Sequence, residues 1–404
     1  MKVALFTDTY LPQLNGVAIY LGDAIRELAK KHEVILFAPG SGPLKIEHPQ
    51  KNVKIYWIPS SPFPFYEGYR VASLNYKRVS DILKKEKPDI VHAHAPINLG
   101  LQGLLAAKRR KIPSVITYHT HFPDYVPHLL NGKLPKMFHE VSQAAVKKMI
   151  NHIFRQADKV TAPTKELVSE LKSYGLHNTV YLPNGINFEK LKCREGGGAK
   201  FRRKHRIGMD KNVAIYLGRL SFEKNLDSLL EAFKKIEKND RVLLVAGGGP
   251  YLKKFKELAA SLEIKNIVFT GFVHEKDVAA AYAAGDLFVS ASHSETFGLT
   301  FVEAMYMGLP VIGVGKLGPQ EIILNGKTGI LVKPNRIDEL ATAMDKLFAD
   351  EKLRRTMSVA ARARSEEYSI RRSIEKTLEI YAELKNLHRD KNSQKSKGLY
   401  IKNA

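Results

Sequence analysis

The sequence predicts an α/β protein made of two doubly wound, Rossmann-like domains facing a cleft. Two observations carry this expectation. Short, continuously apolar strands alternate with helical patterns through the first half, and the alternation restarts after a charge-rich segment. A length of 404 residues supports two or three domains, each with a sizeable core.

Taken in order, KVALFTD, EVILFAP, VKIYWIP, DIVHAHA, SVITYHT, KVTAPT and TVYLPN read as strands by length, β-branching and flanking turn residues. Helical patterns lie between them, at Val17–Lys30, Val71–Lys87, Gly100–Arg110 and Leu134–Gln156. A second strand set follows: NVAIYLGRL, RVLLVAGG, NIVFTGF, LFVSAS, PVIGVG and GILVKP. Helices near Leu226–Lys238, Tyr251–Leu262, Lys276–Ala284, Thr300–Met307 and Ile337–Phe348 separate these strands. The Gly- and charge-rich stretch KLKCREGGGAKFRRKHRIGMDK shows no apolar period, so the linker is expected near residues 188–210. The expected domains are 1–190 and 191–370. A C-terminal helix in 371–404 packs back on the first domain and ends in a polar, frayed tail. In such sheets ligands gather outside the carboxyl ends of the strands, which makes the cleft the expected site.

Composition narrows the class. Hydrophobic residues at 44% and charged residues at 26% are those of a folded protein. The one cysteine, Cys193, excludes an intrachain disulfide framework and an all-cysteine zinc site, and suits a reducing cytosol. The opening MKVALFTDTYLP reads as a first strand rather than a signal peptide. No uninterrupted apolar run approaches the ~20 residues of a membrane helix. The longest, Leu299–Gly315, is broken by Glu303, Gly308 and Pro310. A soluble or peripheral protein is therefore expected. Its net charge of +23 leaves nucleic acid, an anionic membrane and anionic substrates open as partners. Residues 1–190 carry +11 of that charge and residues 191–404 carry +12, so the total points to neither domain.

Four segments carry candidate chemistry. SETFGLTFVEAMYMG follows a strand and places Glu295 and Glu303 eight positions apart, with Gly298 where a helix begins. Helix N-termini offer unpaired N–H groups, and carboxylates accept hydrogen bonds from polyhydroxylated ligands. The plainer alternative is one acidic residue favouring a helix dipole and a second one solvated. GRLSFEKN brings Arg219 and Lys224 off one strand end just beyond Gly218, cations suited to a diphosphate or else ordinary loop charges. AGGGP, centred on Gly248, allows close backbone approach but is neither a P-loop nor GxGxxG. Asn15–Gly16 follows the first strand, where a glycine leaves room beside a reacting group.

Together TDTYLPQLNGVAIY, TYHTHFPDY, PTKEL, LPNGIN, GRLSFEKN, GGGP, GF and SETFGLTFVEAMYMGLPVI resemble glycosyltransferase family 4, retaining enzymes of GT-B fold. The resemblance runs in order over about residues 1–385. It implies that Arg219 and Lys224 hold the donor diphosphate and that Glu295 contacts the donor sugar, with the Phe297, Gly298 and Leu299 backbone alongside. It places Glu303 on the ribose, Gly271–Val273 against the base, Gly16 beside the β-phosphate and His119 in the sugar subsite. The family usually needs no divalent ion, and this chain contains no DxD triad. No metal or other cofactor is expected, and Arg219, Lys224 and the helix at Gly298 stabilise the departing diphosphate instead.

Histidines supply a competing chemistry. His92/His94 and His119/His121 are two His-x-His pairs near strand ends, and such pairs bind zinc, which would make a metal hydrolase. The alternative is that these rings line the cleft or hydrogen-bond within it.

For the acceptor, residues 134–159 place Phe138, Val141, Ala145, Met149 and Ile153 roughly on one helical face. Lys133, Lys136, Lys147, Lys148, Arg155 and Lys159 decorate the rest. Upstream, Trp57, Phe63, Phe65, Tyr66 and Tyr69 lie among prolines. This reads as an interfacial membrane anchor or, equally, as a core helix with a solvated basic face. TYHTHFPDYVPHLL, with Tyr125, looks most like the subgroup that glycosylates diacylglycerol or related lipids. That resemblance implies a peripheral enzyme on the inner face of the cell membrane, moving a hexose to a lipid. Glucose from UDP-glucose is the first expectation, and Glu275 would suit a guanine instead. A soluble acceptor is the alternative. A nucleic-acid binder is disfavoured, because no helix-turn-helix, zinc-finger or RNP-type motif is present.

Overall fold

A computed structural model describes residues 1–13, 15–63, 70–73, 75–94, 98–121 and 136–402, except for the side chains of 136–143 and 391–402. The chain divides into two units, Met1–Gly185 with Ile370–Ala404, and Ile186–Ser369.

In the first unit the described strands are β1 (Lys2–Thr7), β2 (Glu33–Gly40), β3 (Lys45–Gln50), β4 (Val53–Pro62), β5 (Arg70–Ala72), β6 (Ile90–His94), β7 (Ser114–Thr117), β8 (Lys159–Ala162) and β9 (Thr179–Tyr181). They form one sheet in the order β3-β4-β2-β1-β6-β7-β8-β9, with β5 also paired to β4. All pairings are parallel except those of β3 and β5, which run antiparallel to β4. The chain builds outward from β1 in one direction and then from β6 in the other. Their adjacent carboxyl ends are therefore the switch point at which such sheets bind ligands. Asp8, just past β1, accepts the backbone N–H groups of Asn98 at 3.1 Å and Leu99 at 2.7 Å, pinning the start of the helix Leu99–Arg110 across that point. On one face of the sheet, Val3, Leu5, Val34, Leu36 and Val115 pack with Ile370, Ile374, Tyr381 and Leu384 of the last helix. These helix positions recur at helical spacing, which is why the segment returns to the first unit.

In the second unit β10 (Asn212–Leu217), β11 (Arg241–Ala246), β12 (Ile267–Gly271), β13 (Leu287–Val289), β14 (Val311–Val314) and β15 (Gly329–Val332) form a parallel sheet in the order β12-β11-β10-β13-β14-β15. Its unbroken apolar strands serve two cores by simple alternation. Ala214 and Tyr216 face one cluster, while Val213 and Ile215 face the other. The switch point lies between β10 and β13.

Several expectations need correction. The boundaries fall at Gly185/Ile186 and Ser369/Ile370 rather than at 190 and 370. The expected linker belongs to the second unit: it forms the helix Gly197–Lys204, with Phe201 and Arg202 buried. Arg202 donates to the carbonyl oxygens of Ala284 at 2.8 Å and Lys211 at 2.9 Å and pairs with Asp286 at 3.0 Å, so one buried guanidinium replaces an apolar stripe. The last helix spans Ile370–Lys402, a run without proline that helix-forming lysines and glutamine sustain. The expected helix from Val71 starts only at Tyr76, because β5 takes its first residues.

Candidate active site

The second unit assembles one set of candidate residues around its switch point. Gly218–Lys224 leave β10, and Ser290–Glu295 leave the neighbouring β13. Two serine hydroxyls clasp the loops together: Ser292 Oγ and Ser294 Oγ donate to the carbonyl oxygen of Glu223 at 3.3 and 3.1 Å. Asn225, in the left-handed region at φ 49°, donates from its side chain to the Ala291 carbonyl oxygen and bonds to His293 Nδ1. This clasp delivers Lys224 Nζ to Glu295 Oε1 at 2.7 Å, with both side chains less than one-fifth exposed. The cation and the carboxylate, 71 residues apart in sequence, thus form one pair.

The AGGGP glycines buttress the arginine loop. Leu220 N–H donates to the Gly248 carbonyl oxygen at 2.9 Å, and Gly218 N–H to that of Ala246 at 3.1 Å. A Cβ on Gly247 would lie 1.9 Å from the Gly218 carbonyl oxygen, and one on Gly249 would lie 2.4 Å from that of Leu220. What approaches these two glycines closely is therefore the neighbouring loop's own backbone. Tyr216, at the far end of β10, also donates to the Arg219 carbonyl oxygen at 3.0 Å.

Beyond Glu295 the chain turns through Gly298 at φ +90° into the helix Leu299–Tyr306. That left-handed turn needs glycine, because a Cβ there would also meet the Phe301 ring at 2.9 Å. The Phe297 side chain points into the core against Tyr368, which leaves only its backbone for a ligand. Glu303 stands on the following turn and is only partly buried, with Tyr282 Oη donating to its Oε2 at 2.8 Å. Gly271, at φ +70°, ends β12, while Val273 packs partly buried against the core. Glu275 nearby pairs with Lys190 at 2.8 Å.

The first unit carries the other set. Gly16, exposed, opens the helix Gly16–Leu28, which Asn15 caps by accepting the Ala18 N–H at 3.0 Å. His94, at the end of β6, and His119, just past β7, share a hydrogen bond between Nδ1 and Nε2 of 2.8 Å. His92 uses both ring nitrogens, bonding at 2.6 Å to the Tyr381 hydroxyl and at 2.6 Å to that of Thr117. Burial pushes the pKa of His92 down to about 3, with the charge of His119 adding to it, and burial alone does the same for His119. His94 is lowered as well, first by burial and then by its two histidine neighbours. At neutral pH all three rings are uncharged. His121 turns elsewhere, to the Glu170 carboxylate at 3.1 Å. The four rings are thus engaged in hydrogen bonds: His92 with two hydroxyls, His94 and His119 with each other, and His121 with a carboxylate. Among the described residues, no group of three or more His, Cys, Asp or Glu is placed to hold a metal ion.

The acceptor-side expectations fare unevenly. Ala145 and Met149 are exposed, and the stripe facing the core is Val146, Ile150, Ile153 and Phe154. The helix Lys136–Phe154 is therefore turned about one residue from the expected register. Met149, Lys147, Lys148 and Arg155 are each exposed, with Lys147 Nζ 4.9 Å from the Tyr174 ring centre. Trp57 is not a free anchor, since it lies within β4 and donates to Glu47 at 2.8 Å. Phe63 is partly buried, while Phe65 and Tyr125, like the Lys136 side chain, lie outside the described residues.

Ser292, Ser294, Asn225 and Tyr282 went unread in the sequence. A Ser-x-Ser step before Glu295 is a weak local signal, and its target, the Glu223 carbonyl, is remote.

Two largely parallel sheets, each with a charged or polar constellation at its switch point, make this a two-unit α/β protein of GT-B fold. Sucrose-phosphate synthase from Thermosynechococcus elongatus shares that fold, with a TM-score of 0.74 and 18% identity, covering 95% of this chain and 98% of that one. A Glycosyltransferase Family 4 model matches residues 14–190, and a model of Glycosyl transferases group 1 matches residues 199–364. Alpha-monoglucosyldiacylglycerol synthase of Streptococcus pneumoniae is 35% identical over 323 residues, spanning 78% of this chain and 71% of that protein. The enzyme of the same name from Acholeplasma laidlawii is 29% identical, spanning 91% of this chain and 94% of that protein. The chain belongs to glycosyltransferase family 4. It is a glycosyltransferase.

Proposed function

We propose that this protein transfers glucose from UDP-glucose to a membrane lipid of the diacylglycerol type, with retention of configuration and without a divalent ion. The observation that carries the lipid acceptor is the 35% identity to a monoglucosyldiacylglycerol synthase, which spans most of both chains.

On this reading Arg219 and Lys224 neutralise the donor diphosphate, and the N–H groups at the start of the helix Leu299–Tyr306 add to that field. Glu295 accepts hydrogen bonds from the sugar hydroxyls, and Glu303 from the ribose. The backbone at Gly271–Val273 lies against the base. UDP is the donor nucleotide this reading takes first; Glu275, the carboxylate suited to guanine, pairs with Lys190 at the surface. His119, held neutral beside His94, lines the sugar subsite as an uncharged hydrogen-bonding group.

Among the described residues, no helix is long and apolar enough to cross a membrane. The exposed cations Lys147, Lys148 and Arg155, on and just beyond one helix that also exposes Met149, support docking at the surface of an anionic, cytoplasmic leaflet. Each basic residue near such a surface contributes about 1 kcal/mol. Reversing Lys147 and Lys148 to glutamate is therefore expected to weaken binding to anionic vesicles about 30-fold or more in co-sedimentation. Binding and lipid glycosylation should both rise with anionic lipid and fall with salt. Equal turnover with and without vesicles would instead favour a soluble acceptor.

A further inference from the structure

Tyr282 closes the helix Glu275–Tyr282, and its side chain is fully buried in the core of the second unit, 6.2 Å from the Phe288 ring. Its hydroxyl lies 2.8 Å from Glu303 Oε2 and 3.3 Å from the Thr300 carbonyl oxygen. Both acceptors sit on the helix Leu299–Tyr306, so one phenol braces the first turns of that helix and the carboxylate it presents. Burial first, and the Glu303 charge second, hold the phenol's pKa well above the usual tyrosine range, so the hydroxyl keeps its proton and donates it.

This arrangement is expensive for a core. A phenylalanine would fill nearly the same volume without burying a hydroxyl, and Glu303 is open enough to be served by water. What the hydroxyl adds is direction. An unbraced glutamate samples several rotamers and loses that freedom when it binds a ligand. A carboxylate has about four acceptor positions, so the brace occupies one and orients the rest.

We propose that Tyr282 is a positioning residue for nucleotide recognition, presetting the Glu303 carboxylate toward the ribose hydroxyls of the donor's nucleoside diphosphate. The proposal rests on the reading that Glu303 binds the ribose, and it adds what makes that contact effective. The reacting sugar lies beyond the diphosphate, so the effect falls on nucleotide affinity rather than on the chemical step.

The test is calorimetric titration of the full chain with UDP and with its analogue lacking both ribose hydroxyls. Wild type is expected to bind UDP more tightly than the analogue. Tyr282→Phe should raise the Kd for UDP roughly 5- to 20-fold. It should leave the analogue's Kd, the melting temperature and kcat at saturating donor nearly unchanged. The double variant Tyr282→Phe, Glu303→Ala should bind UDP no more weakly than Glu303→Ala alone, because the brace then has nothing to orient. Equal weakening of both nucleotides, or of neither, would overturn the proposal and leave Tyr282 a packing residue. If wild type does not distinguish the two nucleotides, the Glu303–ribose reading itself fails and the proposal falls with it.

Discussion

Alanine in place of Glu295 is expected to lower kcat for sugar transfer by about 100- to 1,000-fold, the scale of losing one well-placed polar contact to the reacting group. The signature lies in how that loss divides. The Glu295 carboxylate holds Lys224 at 2.7 Å. Removing it takes a negative charge away from an ammonium beside the proposed diphosphate site. Nucleotide affinity should therefore stay level or tighten while turnover collapses. Lys224→Ala should do the reverse in binding, weakening UDP, because the cation is what the diphosphate meets. Stability should move by about 1 to 3 kcal/mol, since the pair is largely buried and losing one partner leaves the other charge less compensated. Turnover unchanged in Glu295→Ala, with the variant folded, would remove the site assignment.

The second large effect concerns pH. His92 and His119 have pKa values near 3 in the folded chain against 6.5 for a free histidine, and His94 is depressed as well. A depressed folded pKa means that the unfolded state binds the extra proton first. The stability these neutral rings permit is therefore fully present above about pH 6.5. It is lost as pH falls toward 3, at about 1.4 kcal/mol per pH unit for each histidine. His92 and His119 together amount to on the order of 4 kcal/mol by pH 5, a large part of the total for a typical domain, and His94 acts in the same direction. Urea melts of the full chain at pH 7.5 and pH 5.5 should show the first unit weakening steeply at the lower value. Replacing His92 by asparagine should make that slope shallower, although it costs stability at pH 7.5 by breaking the bonds to Tyr381 and Thr117. A melt independent of pH over this interval would mean that the rings are not buried neutral.

Both effects trace to how the sequence encodes the site. The parallel strands were legible because burial on both faces forces unbroken apolar runs such as RVLLVA in β11, buried throughout. β3, KIEHPQ, was not legible: it is an exposed antiparallel edge whose only task is to pair with β4. The helix Gly197–Lys204 was hidden because buried Arg202 supplies by hydrogen bonds what apolar residues usually supply by packing. The helix Lys136–Phe154 was visible, but its face was not. Two apolar stripes one residue apart both fit a period of 3.6, and only packing selects Val146, Ile150 and Phe154.

The charged residues of the proposed donor site stood out in the sequence because cations and carboxylates at strand ends are conspicuous. What brings them together did not. The Ser292 and Ser294 clasp on Glu223 and the Tyr282 brace on Glu303 are ordinary residue types whose partners lie 69, 71 and 21 positions away. Long-range hydrogen bonds of this kind leave no periodic trace. They still decide where Lys224, Glu295 and Glu303 stand.

The most direct measurement is a donor screen read by mass spectrometry. Diacylglycerol in anionic vesicles is offered with UDP-glucose and, in parallel, GDP-mannose, and the extracted lipid is weighed. A monohexosyl diacylglycerol formed from UDP-glucose, and absent with Glu295→Ala, is the predicted result. Hexose appearing only on water-soluble acceptors, with no lipid product from either donor, would contradict the account.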